Sequence, residues 1–93
     1  MVDESVRTLR SRYPGGTVGV ITTAGRLDRL RKEADHDVAV LTAGAAKGLE
    51  FDATVVVDPD GITAQPRGWN ALYVALTRCT QELALIRPDA PAT

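Results

Sequence analysis

Two short stretches carry more chemistry than a plain connection needs. The first is Lys47-Gly48-Leu49-Glu50-Phe51-Asp52, which sets an ammonium, a glycine and two carboxylates between apolar runs at 38–41 and 53–57. Glycine, without a Cβ, lets backbone approach a ligand closely. A carboxylate such as Glu50 accepts hydrogen bonds from hydroxyls, those of a sugar among them. The same residues also fit a capped helical turn with Lys47 and Glu50 paired on its surface. The second stretch is NALYVALTRCTQEL at 70–83, where Arg78 follows Thr77 near the end of a helical pattern. An arginine there complements the helix dipole. It is equally the planar, permanently charged fork that contacts phosphate. Each stretch alone leaves both readings open.

The totals bound what can hold these groups. Ninety-three residues fit one domain near the small end of what buries a core alone. A 44% hydrophobic and 25% charged composition is that of a soluble globular protein. Aromatics are few, so Val, Leu, Ile and Ala must fill the interior. The net charge of −1 lacks the basic excess of an independent nucleic-acid binder, so any nucleic acid is expected to be held jointly with another domain. A lone cysteine, Cys79, excludes an internal disulfide and offers no metal-ligand pair; no metal site is expected. The opening MVDESVRTLR lacks the apolar core of a signal peptide, and no apolar run approaches the roughly 18 residues of a membrane helix. The chain reads as a reduced, cytoplasmic domain with no membrane partner.

The positioning elements follow from periodicity. The pattern predicts a helix over 3–13, with Asp3 as N-cap and Val2, Val6, Leu9 and Tyr13 on one face, stopped by Pro14-Gly15-Gly16. A strand over 17–22, a helix over 24–34 with Leu27, Leu30 and Ala34 inward, and strands over 37–42 and 54–58 come next. Asp58-Pro59-Asp60-Gly61 signals a turn. Leu72, Ala75, Leu76 and Cys79 place a helix over 69–80, and a last strand covers 83–86. One domain over 1–87 and a disordered tail over 88–93 are expected. Helices alternating with short, unbroken apolar strands point to a parallel sheet covered on both faces. Ligands gather at the carboxyl ends of such strands, and the stretch from Thr42 to Asp52 follows one. His36, between two aspartates, reads as solvated or locally bonded. Trp69 is expected over the core or at an interdomain contact, and Cys79 in packing.

Taken together, AKGLEFD at 46–52 and LYVALTR at 72–78 resemble helicase motifs V and VI of the superfamily 1 UvrD/Rep-like group. The resemblance runs from about Thr17 to Ile86. It implies a RecA-like α/β fold, a three-layer sandwich around a mostly parallel sheet of the P-loop NTPase kind. The domain would be the C-terminal motor half of a bacterial ATP-dependent DNA helicase or translocase moving on single-stranded DNA. By that resemblance Arg78 would be catalytic, reaching the γ-phosphate. Glu50 would contact the ribose, with Lys47 and Gly48 at the nucleotide. Thr42 and Gly44 would lie against the nucleic-acid backbone, while Tyr73 and Thr77 position the helix. ATP with Mg2+ would be held mainly by an N-terminal RecA-like domain of the same parent chain.

No G-x-x-x-x-G-K-[ST] loop and no strand ending in Asp-Glu occurs here. These residues alone are therefore not expected to hydrolyse ATP, and the first motor domain is expected upstream. There are also departures from the family pattern. Gly44 stands where the family commonly has histidine. Thr22-Thr23 replaces the motif IV arginine, with Arg26 too far along to substitute. Cys79-Thr80-Gln81 stands where a further basic residue is frequent. These changes weaken nucleic-acid contacts and keep nucleotide contacts, which resembles the HelD-type ATPases that remodel RNA polymerase. A stand-alone binding module that lost the motor is the third reading. On any of the motor readings, the closing face should expose Arg78, Glu50 and nearby apolar groups.

Overall fold

The computed structural model describes residues 2–34 and 38–86. The expectations for His36, for a strand starting at Asp37, for the 88–93 tail and for the side chains of Val2 and Asp3 lie outside what is described. In chain order the elements are α1 (Val2–Arg12), β1 (Val18–Thr22), α2 (Ala24–Glu33), β2 (Ala39–Thr42), α3 (Ala43–Ala46), β3 (Phe51–Val57), α4 (Pro59–Thr63), α5 (Gly68–Leu76) and β4 (Cys79–Ile86). The strands form one sheet in the order β2-β1-β3-β4, with every pairing parallel.

The unbroken Val/Ile runs of β1 and β3 explain the layering, because such strands are stable only when both faces are covered. On one face Val18, Val20, Val55 and Val57 pack with Leu9 of α1 and Leu30 of α2. On the other, Ile21 and Val56 pack with Ala43 and Ala46 of α3, Ile62 of α4 and Ala75 of α5. The result is the expected three-layer sandwich. Phe51 lies over the backbone of β1, where a Cβ on Gly19 would stand 2.8 Å from its ring. At one sheet edge, Arg31 Nε of α2 donates to the Val40 carbonyl of β2 at 3.1 Å. At the other edge β4 leaves Leu85 exposed.

α1 is tied to β4 through one carboxylate. Tyr13 Oη donates to Glu82 Oε1 at 3.0 Å, and Arg12 forms an ion pair with the same group. Burial, then the Glu82 hydrogen bond, pushes the Tyr13 phenol up. The Arg12 hydrogen bond holds the Glu82 carboxyl below its ordinary value.

Several boundaries differ from the sequence reading. β2 begins at Ala39 among the described residues. β3 begins at Phe51 rather than 54, because Phe51 N–H donates to the Arg78 carbonyl (2.8 Å) and Ala53 N–H to that of Thr17 (3.1 Å). α5 ends at Leu76 rather than 80, since Thr77 Oγ1 donates to the Tyr73 carbonyl at 2.9 Å and closes the last turn. β4 therefore starts at Cys79, which is half-buried at the head of a strand and not on a helix face. Finally, Asp58–Gly61 opens α4 instead of forming a bare turn. Asp58 is the N-cap, its Oδ1 accepting from Gly61 N–H at 3.1 Å, with Pro59 at the first helical position.

Candidate functional site

The loop leaving β2 begins with a cap. Thr42 Oγ1 accepts from Ala45 N–H at 3.4 Å and starts the single turn of α3. Gly44 is exposed in that turn, and nothing lies within 4 Å of where its Cβ would be. Lys47 caps the other end, and Gly48 takes φ +81 in open space. That left-handed conformation is the one glycine adopts at no steric cost. It turns the chain into Leu49 and Glu50, both exposed.

The two carboxylates of the loop have different fates. Asp52 Oδ2 accepts from Thr17 N–H at 2.7 Å, and Asp52 N–H donates back to Thr17 Oγ1 at 3.1 Å. Asp52 is thus a pin between the starts of β1 and β3. Glu50 makes no ion pair or side-chain hydrogen bond, and neither does Lys47. The surface pairing of Lys47 with Glu50 that a purely structural turn would use is absent among the described residues.

Arg78 sits beside this loop because its carbonyl receives the Phe51 N–H. Thr77 both ends α5 and steadies the guanidinium, accepting from Arg78 Nη2 at 3.3 Å. Thr77 is a positioning residue here, in line with the sequence reading. Arg78 Nε is buried with no hydrogen-bond partner. Immediately beyond, the β3–β4 register slips between Phe51 and Ala53, where one residue of β3, Asp52, faces two of β4, Thr80 and Gln81. Bulges of this kind re-aim neighbouring side chains. The sequence reading missed both the bulge and the early helix end; the signal available was the β-branched pair Thr77 and Thr80 within a supposed helix.

The site residues fall into two groups at opposite edges of the sheet. Glu50 and Arg78 lie together at the amino ends of β3 and β4, and Lys47 and Gly48 lead toward them from the end of α3. Thr42 and Gly44 lie at the carboxyl end of β2. In register Thr42 pairs with Thr22, whose hydroxyl donates to the Val57 carbonyl at 3.2 Å. Val57 is six residues above Phe51, so Thr42 and the Glu50–Arg78 pair stand about 20 Å apart at roughly 3.3 Å per residue, with Gly44, Lys47 and Gly48 on the connection between them. The expectation of a ligand site at the carboxyl ends therefore applies to Thr42 and Gly44 and not to the Lys47–Glu50 loop. The reason is connectivity, because a parallel crossover must return to the amino edge before the next strand begins. Arg26 is also at the carboxyl edge, its Nε on Asp58 Oδ2 at 3.3 Å, far from Arg78.

The amino-edge group suits one side of a nucleotide. It offers an uncommitted carboxylate for hydroxyls, an open glycine for close approach and a planar cation for phosphate. It offers no loop of backbone N–H groups to cradle a triphosphate, so it can complete such a site but not form one. Among the described residues no three His, Cys, Asp or Glu side chains are placed to hold a metal ion. No described helix is long and apolar enough to cross a membrane. Trp69, expected over the core or at an interdomain contact, is 76% exposed and covers no core.

The all-parallel three-layer fold is RecA-like, and the stretches 46–52 and 72–78 meet at the amino ends of its last two strands. The profile of the UvrD-like helicase C-terminal domain matches residues 37–86, just over half of the chain. The chain belongs to that family. Its fold is similar to the crystal structure of the C-terminal domain of a possible DNA helicase from Lactobacillus plantarum WCFS1, with a TM-score of 0.66 and 23% identity. That likeness covers 92% of this chain and 65% of the other. No curated protein matches the chain.

Proposed function

We propose that this domain is the C-terminal motor half of an ATP-dependent DNA helicase or translocase, completing an ATP site supplied mainly by an N-terminal RecA-like domain. The observation that carries this reading is the pair Glu50 and Arg78, side by side at the amino ends of β3 and β4 and both uncommitted to ion pairs. ATP with Mg2+, held by the partner domain, supplies the bond to be cleaved. When the two domains close, Glu50 accepts a hydrogen bond from a sugar hydroxyl and orients the nucleotide. Arg78 approaches the terminal phosphate, and its guanidinium offsets the negative charge that grows there as the bond breaks. Lys47 adds positive charge at the mouth. Closure and reopening move the second group, Thr42 and Gly44, along single-stranded DNA.

The test is steady-state ATPase activity of the full-length protein at fixed salt, with and without single-stranded DNA. Stimulation of about tenfold or more is expected. Arg78→Ala should lower kcat about 10³-fold, as for other arginine fingers. Near-normal turnover in that variant would end the finger assignment.

A second reading is an ATPase that remodels RNA polymerase. It is favoured by the bare Gly44 at the nucleic-acid position and by Arg26 being occupied with Asp58. ATPase activity with a flat response to DNA, together with salt-resistant polymerase binding, would select it.

A further inference from the structure

α5 carries two large aromatic side chains that the fold does not use. Trp69 is 76% and Tyr73 69% exposed, and their i, i+4 spacing puts their Cβ atoms about 5–6 Å apart on one flank. The opposite flank, with Gly68 and Ala75, is buried. The aromatic flank is not an aliphatic patch, since its exposed companions on α5 are Asn70 and, just past the helix end, Thr77. Rings set among polar groups and a cation are what successive bases stack on.

The local charge agrees. In a chain of net charge −1, no Asp or Glu occurs from Gly61 to Gln81, while Arg67 and Arg78 do. Arg67, one residue before α5, is exposed and makes no ion pair or side-chain hydrogen bond. The platform is also held firmly. At Gly68 a Cβ would meet the carbonyl oxygens of Ile62 and Thr63 at 2.4 Å, so α4 and α5 touch backbone to backbone directly beneath Trp69. Because α4 starts at the carboxyl end of β3 and β4 starts at the amino edge, Trp69 lies toward the edge that holds Thr42 and Gly44.

We propose that Trp69 and Tyr73 form a stacking surface for the bases of single-stranded nucleic acid, with Arg67 on the adjoining phosphate. This rests on the DNA-motor reading above and adds to it a surface built from Trp69, ahead of the 72–78 stretch, and Tyr73 within it, neither of which the resemblance places on nucleic acid. The test uses the full-length protein and fluorescence anisotropy of two labelled oligonucleotides of equal length, one oligodeoxythymidine and one abasic, at one stated salt concentration. The wild type should bind the oligodeoxythymidine more tightly by about fivefold or more per stacked base. Trp69→Ala/Tyr73→Ala should bind both alike, and Trp69→Phe, which keeps a ring, should retain most of the preference even if the double variant folds poorly. Arg67→Gln should weaken binding of both equally and reduce the salt slope by about one charge.

A base preference that survives loss of both rings would overturn the proposal, as would a wild type that binds the two oligonucleotides equally. Loss of affinity for both in the double-alanine variant, with the preference intact, would mark the rings as a protein contact and overturn it as well. A wild type that binds neither would bring down the DNA-motor reading itself, and this proposal with it.

Discussion

Thr54 offers a test of the core that runs against the usual direction of mutations. It is fully buried in central strand β3, and its Oγ1 has no hydrogen-bond partner. Its register neighbours are Gly19 on β1 and Leu83 on β4, and it alternates with Val55 so that it faces the α3–α5 layer. A buried hydroxyl left unpaired costs about 1–3 kcal/mol. Thr54→Val keeps the branched shape, replaces the hydroxyl by a methyl and removes that cost. Some of the gain is spent on repacking a tight site, leaving a net stabilisation of about 1–2 kcal/mol. For a domain of this size that raises Tm by about 4–8 °C per kcal/mol. Thermal and urea unfolding followed by far-UV circular dichroism would measure it, with an unchanged m value confirming that only stability moved. Thr54→Ser keeps the hydroxyl, loses the methyl and should melt below the wild type. The reasoning is refuted if Thr54→Val melts at or below the wild type while Thr54→Ser is the milder change. That order would mean the hydroxyl is satisfied, by a buried water.

Two further outcomes are expected. Gly48→Ala meets no steric obstacle but must hold φ +81, which costs an L-residue about 1–2 kcal/mol; the thermal midpoint should fall and KM for ATP in the full-length protein should rise, with Gly48→Asn milder in both. The α1–β4 tie should shape the pH profile of stability. Glu82 is held below its ordinary 4.5, so its contribution is present above that pH and is lost as pH falls through the lower folded value. Tyr13 is raised above 10.0, so its contribution is present below pH 10 and is lost as pH rises through the higher folded value. Glu82→Gln should flatten the acid limb of Tm against pH.

The layered fold was legible because its strongest signals are local. The runs VGVIT and ATVVV have no polar alternation, and Pro14-Gly15-Gly16 permits no helix. The boundary between α5 and β4 was not legible. The spacing of Leu72, Ala75, Leu76 and Cys79 satisfies a helix past the point where the chain has left one. What ends that helix is the Thr77 hydroxyl turning back on Tyr73, and what starts β4 is pairing with β3, a contact between distant parts of the chain. The site shows the same division. The residue types at Lys47–Glu50 and Arg78 marked them out. Which of Glu50 and Asp52 is structural was decided by Thr17, 35 positions away along the chain. Nor could the sequence tell that one loop serves both edges, with Thr42 at its carboxyl start and Glu50 at its amino finish.

The sheet's two margins are not equivalent, and this limits how the domain can join other chains. At β2 the Arg31 guanidinium occupies a backbone acceptor, and a bulky cation there obstructs an incoming strand. At β4 no such guard is present among the described residues, and Leu85 stands open beside the free backbone. A sheet that can be extended at both margins grows into a fibre, whereas one that can be extended at a single margin closes after one addition. Addition of a strand to this domain is therefore favoured at β4 over β2.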